Sequence, residues 1–159
     1  MKNWQKVVNK RIVLFTVGFA GYGGLELLFR GHTFISMCIA GGCIILLLDS
    51  LNNRWSYDLD ILLQGICGST MITATELLLG EFIKHTNLLH VMWDYSNMRF
   101  NFDGVICLEF SLLWILLSIL GILIADALNY YLLGDNERPY YKLFGIKILE
   151  FPKKEELLT

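Results

Sequence analysis

Four apolar blocks, residues 12–29, 34–48, 61–79 and 105–133, constrain this chain more than any other feature. A helix needs about 20 mostly apolar residues to cross a hydrocarbon layer of ~30 Å. The first, third and fourth blocks reach that length with their flanks, the core of the fourth ending before Asp126. The second holds only 15 residues, with Gly41-Gly42 in its middle, so it reads either as a short span or as a re-entrant hairpin. Composition agrees with lipid as the main solvent: 55% of the 159 residues are apolar and 18% are charged, against roughly 25% charged in a globular protein. With 13 Lys and Arg against 15 Asp and Glu, the chain has no positive excess for nucleic acid.

The cations choose between the two readings of the second block, because cytoplasmic segments are enriched in Lys and Arg. With four spans and a cytoplasmic N-terminus, Lys2, Lys6, Lys10, Arg11, Arg54, Arg138, Lys142, Lys147, Lys153 and Lys154 lie inside, and only Arg30, Lys84 and Arg99 lie outside. A re-entrant second block divides the 13 cations almost evenly and erases the bias. The sequence therefore predicts an all-α membrane protein of one integral domain, residues 1–159, with four transmembrane helices at about 12–30, 33–51, 60–79 and 105–126. Both termini are expected in the cytoplasm of a multi-pass cell-membrane protein, with an outer loop at 80–104 and a cytoplasmic tail at 134–159. Within that tail, residues 138–151 read as an interfacial anchor.

The basic start does not read as a signal peptide, since the first block runs into Glu26-Leu27-Leu28-Phe29-Arg30 without a small-x-small cleavage site. Cys38, Cys43, Cys67 and Cys107 form no C-x-x-C pair and read as small hydrophobes within spans. Gly18 with Glu26-Leu27-Leu28 recurs 50 positions on as Gly68 with Glu76-Leu77-Leu78. As a duplication this gives two repeated helical hairpins in parallel orientation; as coincidence it reflects how common leucine is in membrane segments. The glycines of the first three spans allow close helix packing. Thr70, Thr73 and Thr75, beside Gly68 and Ser69, are expected to turn the third span toward the bundle centre.

Carboxylates at membrane depth are costly and are usually turned inward, paired or functional. On the four-span topology Glu26, Glu76 and Glu109 fall at one depth near the outer surface, while Asp49 and Asp126 lie near the inner ends. Glu26 has Arg30 four residues on, on the same helix face and in the favourable acid-first order. Glu76 has Gly80 at the matching place and must find a partner elsewhere, stay protonated or bind a cation. The three acids thus read as an ion-pair network, as a solute or cation site, or as catalytic groups. Residues 93–104, which include Trp93, Asp94, Tyr95, Arg99 and Asn101, form an interfacial loop suited to wall such a site, with Asp103-Gly104 as a turn. His85 and His90 lack a third partner and read as loop histidines, and the sequence specifies neither a metal nor a cofactor.

Trp93-Asp94-Tyr95-Ser96, then Asn101, Gly104, Ile106-Cys107-Leu108, Ser111-Leu112 and Trp114, resembles the signature W-D-Y-S-x-x-P-x-N-x-x-G-x-I-x-L of the type IV ABC-transporter family. Its members are small bacterial multi-span proteins. Their first span, with an acid and an Arg-Gly pair, is similar to Glu26 and Arg30-Gly31 here. Arg99 departs from the family proline, and Gly31-His32-Thr33-Phe34 replaces the family's proline-rich segment, so the loop after the first span is expected to differ.

The resemblance implies a transport-related subunit, and the layer of acids with the loop around Trp93 is expected to give it an outward-facing acidic and aromatic pocket built from Glu26, Arg30, Glu76, Trp93, Asp94, Tyr95, Arg99, Asn101 and Glu109. Any ATPase belongs to another chain, since no G-x-x-x-x-G-K-[ST] loop is present. Two other readings stay open. One is a non-catalytic scaffold or accessory subunit, self-associated or in a larger membrane complex. The other is an outer-leaflet enzyme with Glu76 or Asp94 as base, although no motif has the spacing for nucleophilic or metal chemistry.

Overall fold

The computed structural model describes residues 3–86 and 92–157. Among the described residues four long helices stand out: α1 (Asn3–Arg30), α2 (Ile35–Asn52), α3 (Ile61–Lys84) and α4 (Leu108–Ala127). The segments Gln5–Arg30, Ile61–Lys84 and Leu108–Leu132, the last including a π-helical turn at Leu128–Leu132, are long and apolar enough to cross a membrane. The apolar part of α2, Ile35–Leu51, is shorter. At 1.5 Å per residue its 18-residue helix is about 27 Å long, just under the hydrocarbon thickness. Leu28 and Phe29 are 83% and 85% exposed. In water such side chains would form an apolar patch, whereas in a bilayer they are the lipid-facing surface.

The helices match the expected all-α character, but two antiparallel hairpins had no counterpart in the expectation. They are β1 (Asn101–Phe102) with β2 (Ile106–Cys107), and β3 (Tyr140–Leu143) with β4 (Ile146–Glu150). The first hairpin delays the start of α4 to Leu108, three residues after the expected start, and α3 runs on to Lys84 where a loop was expected from residue 80. The chain forms two compact units, Met1–Ile61 with Leu120–Thr159, and Leu62–Ile119.

In the first unit α1 and α2 pack as an antiparallel pair. A Cβ on Gly18 would lie 2.5 Å from the Gly41 carbonyl oxygen, so the two backbones touch where no side chain intervenes. Leu14, Ile45 and Ala125 form the buried core, one residue from each of α1, α2 and α4. Below them Asp49 accepts a 2.6 Å bond from Asn129 and lies 3.5 Å from Lys10, which also reaches Asp135 at 3.5 Å. Asn129 of this network lies in the π-helical turn.

The region expected as an interfacial anchor is the β3–β4 hairpin. Its two-residue loop places Phe144 and Gly145 at φ 51° and 79°, the mirror-image turn that matches strand twist. Fully buried Tyr141 donates a 2.6 Å bond to Asp126, so the acid near the C-terminal end of α4 has a protein partner. Lys142 and Tyr140 both reach Asp58, at 2.5 and 2.8 Å, and the Phe144 amide donates to Asp60. Burial first, then the Asp126 charge, raises the Tyr141 hydroxyl far above the usual phenol range.

Candidate functional site

The second unit is built on the α3–α4 pair. Gly65 faces Ile119, while Ser69 donates a 2.6 Å bond to the Ser111 carbonyl and Thr73 reaches the Ser111 hydroxyl at 3.2 Å. Thr70 and Thr75 instead return to their own helix at the Ile66 and Met71 carbonyls. The polar side of α3 is therefore divided, with Ser69 and Thr73 directed at α4.

Glu76 lies one turn beyond Thr73. Helical side chains tilt toward the N-terminus of their own helix, so in this antiparallel pair Glu76 and Trp114 lean toward each other. The Trp114 Nε1–H donates to Glu76 Oε2 at 2.8 Å. The Tyr95 hydroxyl is a second side-chain hydrogen-bond partner of the same carboxylate. Tyr95 is held in place by stacking on Phe110 at 4.7 Å and by its backbone N–H donating to the Gly104 carbonyl. Glu76 is partly buried, Tyr95 and Trp114 are buried, and no cation pairs with Glu76 among the described residues.

The signature loop is shaped by its own polar groups. Trp93 donates its indole N–H to the Val105 carbonyl at 3.0 Å. Asp94 accepts from the Ser96 amide at 2.9 Å and from the Ser96 hydroxyl. Asn101 donates to the Met98 and Ser96 carbonyls and accepts from the Gly104 amide at 3.0 Å, bracing a turn in which Phe100, Asp103 and Gly104 all have positive φ. Lys84 pairs with Asp103, and that hydrogen bond holds the Asp103 carboxyl below the usual carboxylate range. The loop closes over Gly80, where an added Cβ would lie 3.3 Å from the Trp93 ring and closer still to Val105.

Of the nine expected site residues, Glu76 and Tyr95 are brought together here, and Trp93, Asp94 and Asn101 build the loop that carries Tyr95. Arg99 is exposed and makes no ion pair among the described residues. Glu109 is also exposed, in the first turn of α4, where a carboxylate complements the helix dipole. Glu26 and Arg30 belong to the first unit. There Arg30 lies 2.9 Å from Glu26 Oε1, and the Thr33 hydroxyl donates to Oε2 at 2.5 Å, so both oxygens of this buried acid are engaged. His85 is exposed and His90 lies outside the described residues. No group of three His, Cys, Asp or Glu among the described residues is arranged to hold a metal.

Sequence reasoning missed Trp114 and Thr33 as partners of the acids. Trp114 already stood in the signature, and a lone indole N–H inside an apolar span needs an acceptor. The long helices among the described residues, three of them of membrane-crossing length, with a braced aromatic loop against a carboxylate define an integral membrane protein with a polar locus inside its apolar frame. Residues 12–149 match the family described as "Putative ABC-transporter type IV", and the chain belongs to that family. No curated protein and no solved structure matches the chain.

Proposed function

We propose that this chain is a transport-related membrane subunit whose Glu76, Tyr95 and Trp114 form the polar locus that engages a solute or cation. The observation that carries the reading is the contrast between two corresponding acids. Glu26 is closed by a guanidinium and a hydroxyl, whereas Glu76 has only neutral donors among the described residues. A carboxylate held by neutral donors keeps its negative charge available to a cationic group, while an ion-paired one does not. Family membership supports the transport class. The ATPase that an ABC-type system needs belongs to a separate chain, and association with itself or with another membrane subunit accompanies that role.

The proposed topology places both termini in the cytoplasm, with α2 as a short span and the loop around Trp93 outside. It is supported by the cation bias and by the contacts of Lys10 and Asp135, which bring the start of α1 beside the segment after α4. The reading is tested by melting the full chain in detergent with sodium, potassium and magnesium chloride at constant ionic strength. At least one salt is expected to raise the melting temperature of the wild type and to leave Glu76→Gln unmoved. A folded Glu76→Gln with the wild-type salt response sinks the cation reading.

A further inference from the structure

At the end of the first unit opposite Arg30, a cleft of about 350 Å³ is lined by Arg11, Leu46, Asp49, Ser50, Asn53 and Arg54. Arg11 comes from α1 and the others from the last turns of α2 and the residues just after it. Both guanidinium groups are exposed, and among the described residues neither makes an ion pair or a hydrogen bond. Asp49 does not cancel them, because it is already engaged by Asn129 at 2.6 Å and Lys10 at 3.5 Å. The Asn53 amide is committed to the Asp49 carbonyl at 2.7 Å, while the Ser50 hydroxyl is exposed. The cleft therefore presents two unspent guanidinium forks and a hydroxyl, with Leu46 as an apolar wall.

A guanidinium fork matches the spacing of phosphate oxygens and binds them through two parallel hydrogen bonds. The volume falls within the usual ~300–1,000 Å³ of ligand sites. Basic pockets between membrane helices at headgroup depth are suited to anionic lipids. We propose that this cleft binds a phosphate group, with Arg11 and Arg54 as its forks and Ser50 as a further donor. The group belongs either to an anionic lipid, whose chains would run past Leu46, or to a soluble phosphate compound.

The test is thermal unfolding of the full chain in detergent, titrated separately with phosphatidylglycerol and with inorganic phosphate at constant ionic strength. A saturable rise in melting temperature is expected for the wild type, with apparent affinity falling roughly tenfold or more in R11Q/R54Q. R11K/R54K keeps both charges without the forks and is expected to bind more weakly than the wild type. K6Q removes an exposed charge of α1 outside the cleft and is expected to bind as the wild type does. A response to phosphatidylglycerol alone identifies a lipid, and a response to both probes identifies the phosphate group itself. The proposal is overturned if neither probe shifts the wild type, if R11Q/R54Q or R11K/R54K keeps full affinity, or if K6Q loses as much as R11Q/R54Q.

Discussion

The indole N–H of Trp114 meets a carboxylate oxygen of Glu76 across 2.8 Å, although the two residues are 38 positions apart in the chain. Removing the donor leaves a partly buried acid with less compensation. Trp114→Phe is expected to cost about 1–3 kcal/mol, the range for orphaning a buried polar group. A cycle with Glu76→Leu should show a coupling of about 0.5–3 kcal/mol. Additive losses in detergent unfolding would mean that the two side chains act independently.

Gly18 and Gly21 lie three residues apart on α1 and should respond oppositely to alanine. The first meets the Gly41 backbone, and the second has nothing within 4 Å of an added Cβ. Gly18→Ala is expected to destabilise by about 1–3 kcal/mol through overpacking. Gly21→Ala should be neutral or stabilising by up to about 1 kcal/mol through helix propensity. Melting temperatures of the two variants side by side decide the matter.

Tyr141→Phe deletes one hydroxyl in a fully buried position and leaves Asp126 short of a donor. A loss of about 1–3 kcal/mol is expected. Amide hydrogen exchange should quicken in residues 140–150, and protection there at the wild-type level would show that the hairpin is held by its other contacts.

Acid should loosen the same hairpin. The Asp58 carboxyl is held below its ordinary value, chiefly by hydrogen bonds from Lys142 and Tyr140. A carboxyl depressed on folding contributes stability above its unfolded pKa of about 3.9, and that contribution is lost as pH falls through the folded value. The protection of the Tyr140–Leu143 amides, taken against the intrinsic exchange rate at each pH, is therefore expected to fall below about pH 4 in the wild type. Asp58→Asn should show the lowered protection already at neutral pH and a flatter acid response.

The apolar blocks made the long helices legible, because length and hydropathy alone decide what can cross a bilayer. The Glu26–Arg30 pair was legible for a local reason, since its partners stand four positions apart on one helix. The partners of Glu76 come from the loop and from α4, and no sequence spacing announces such a meeting. The β3–β4 hairpin escaped notice because Phe144-Gly145 is a weaker turn signal than Asn-Gly. The chemistry of residues 93–104 was read as a pocket wall, yet most of its polar groups are spent on the loop's own backbone.

The contacts around Asp49 also order the assembly of the chain. Lys10 and Asp49 are synthesised early, but their partners Asp135 and Asn129 come 125 and 80 positions later. Until those residues emerge, the ribosome has delivered a helical pair whose polar end is unfinished. The first unit is thus begun first and completed last, with the whole of the second unit synthesised in between. A pause or truncation before Asn129 would leave an intermediate with Asp49 unsealed, a ready target for quality control.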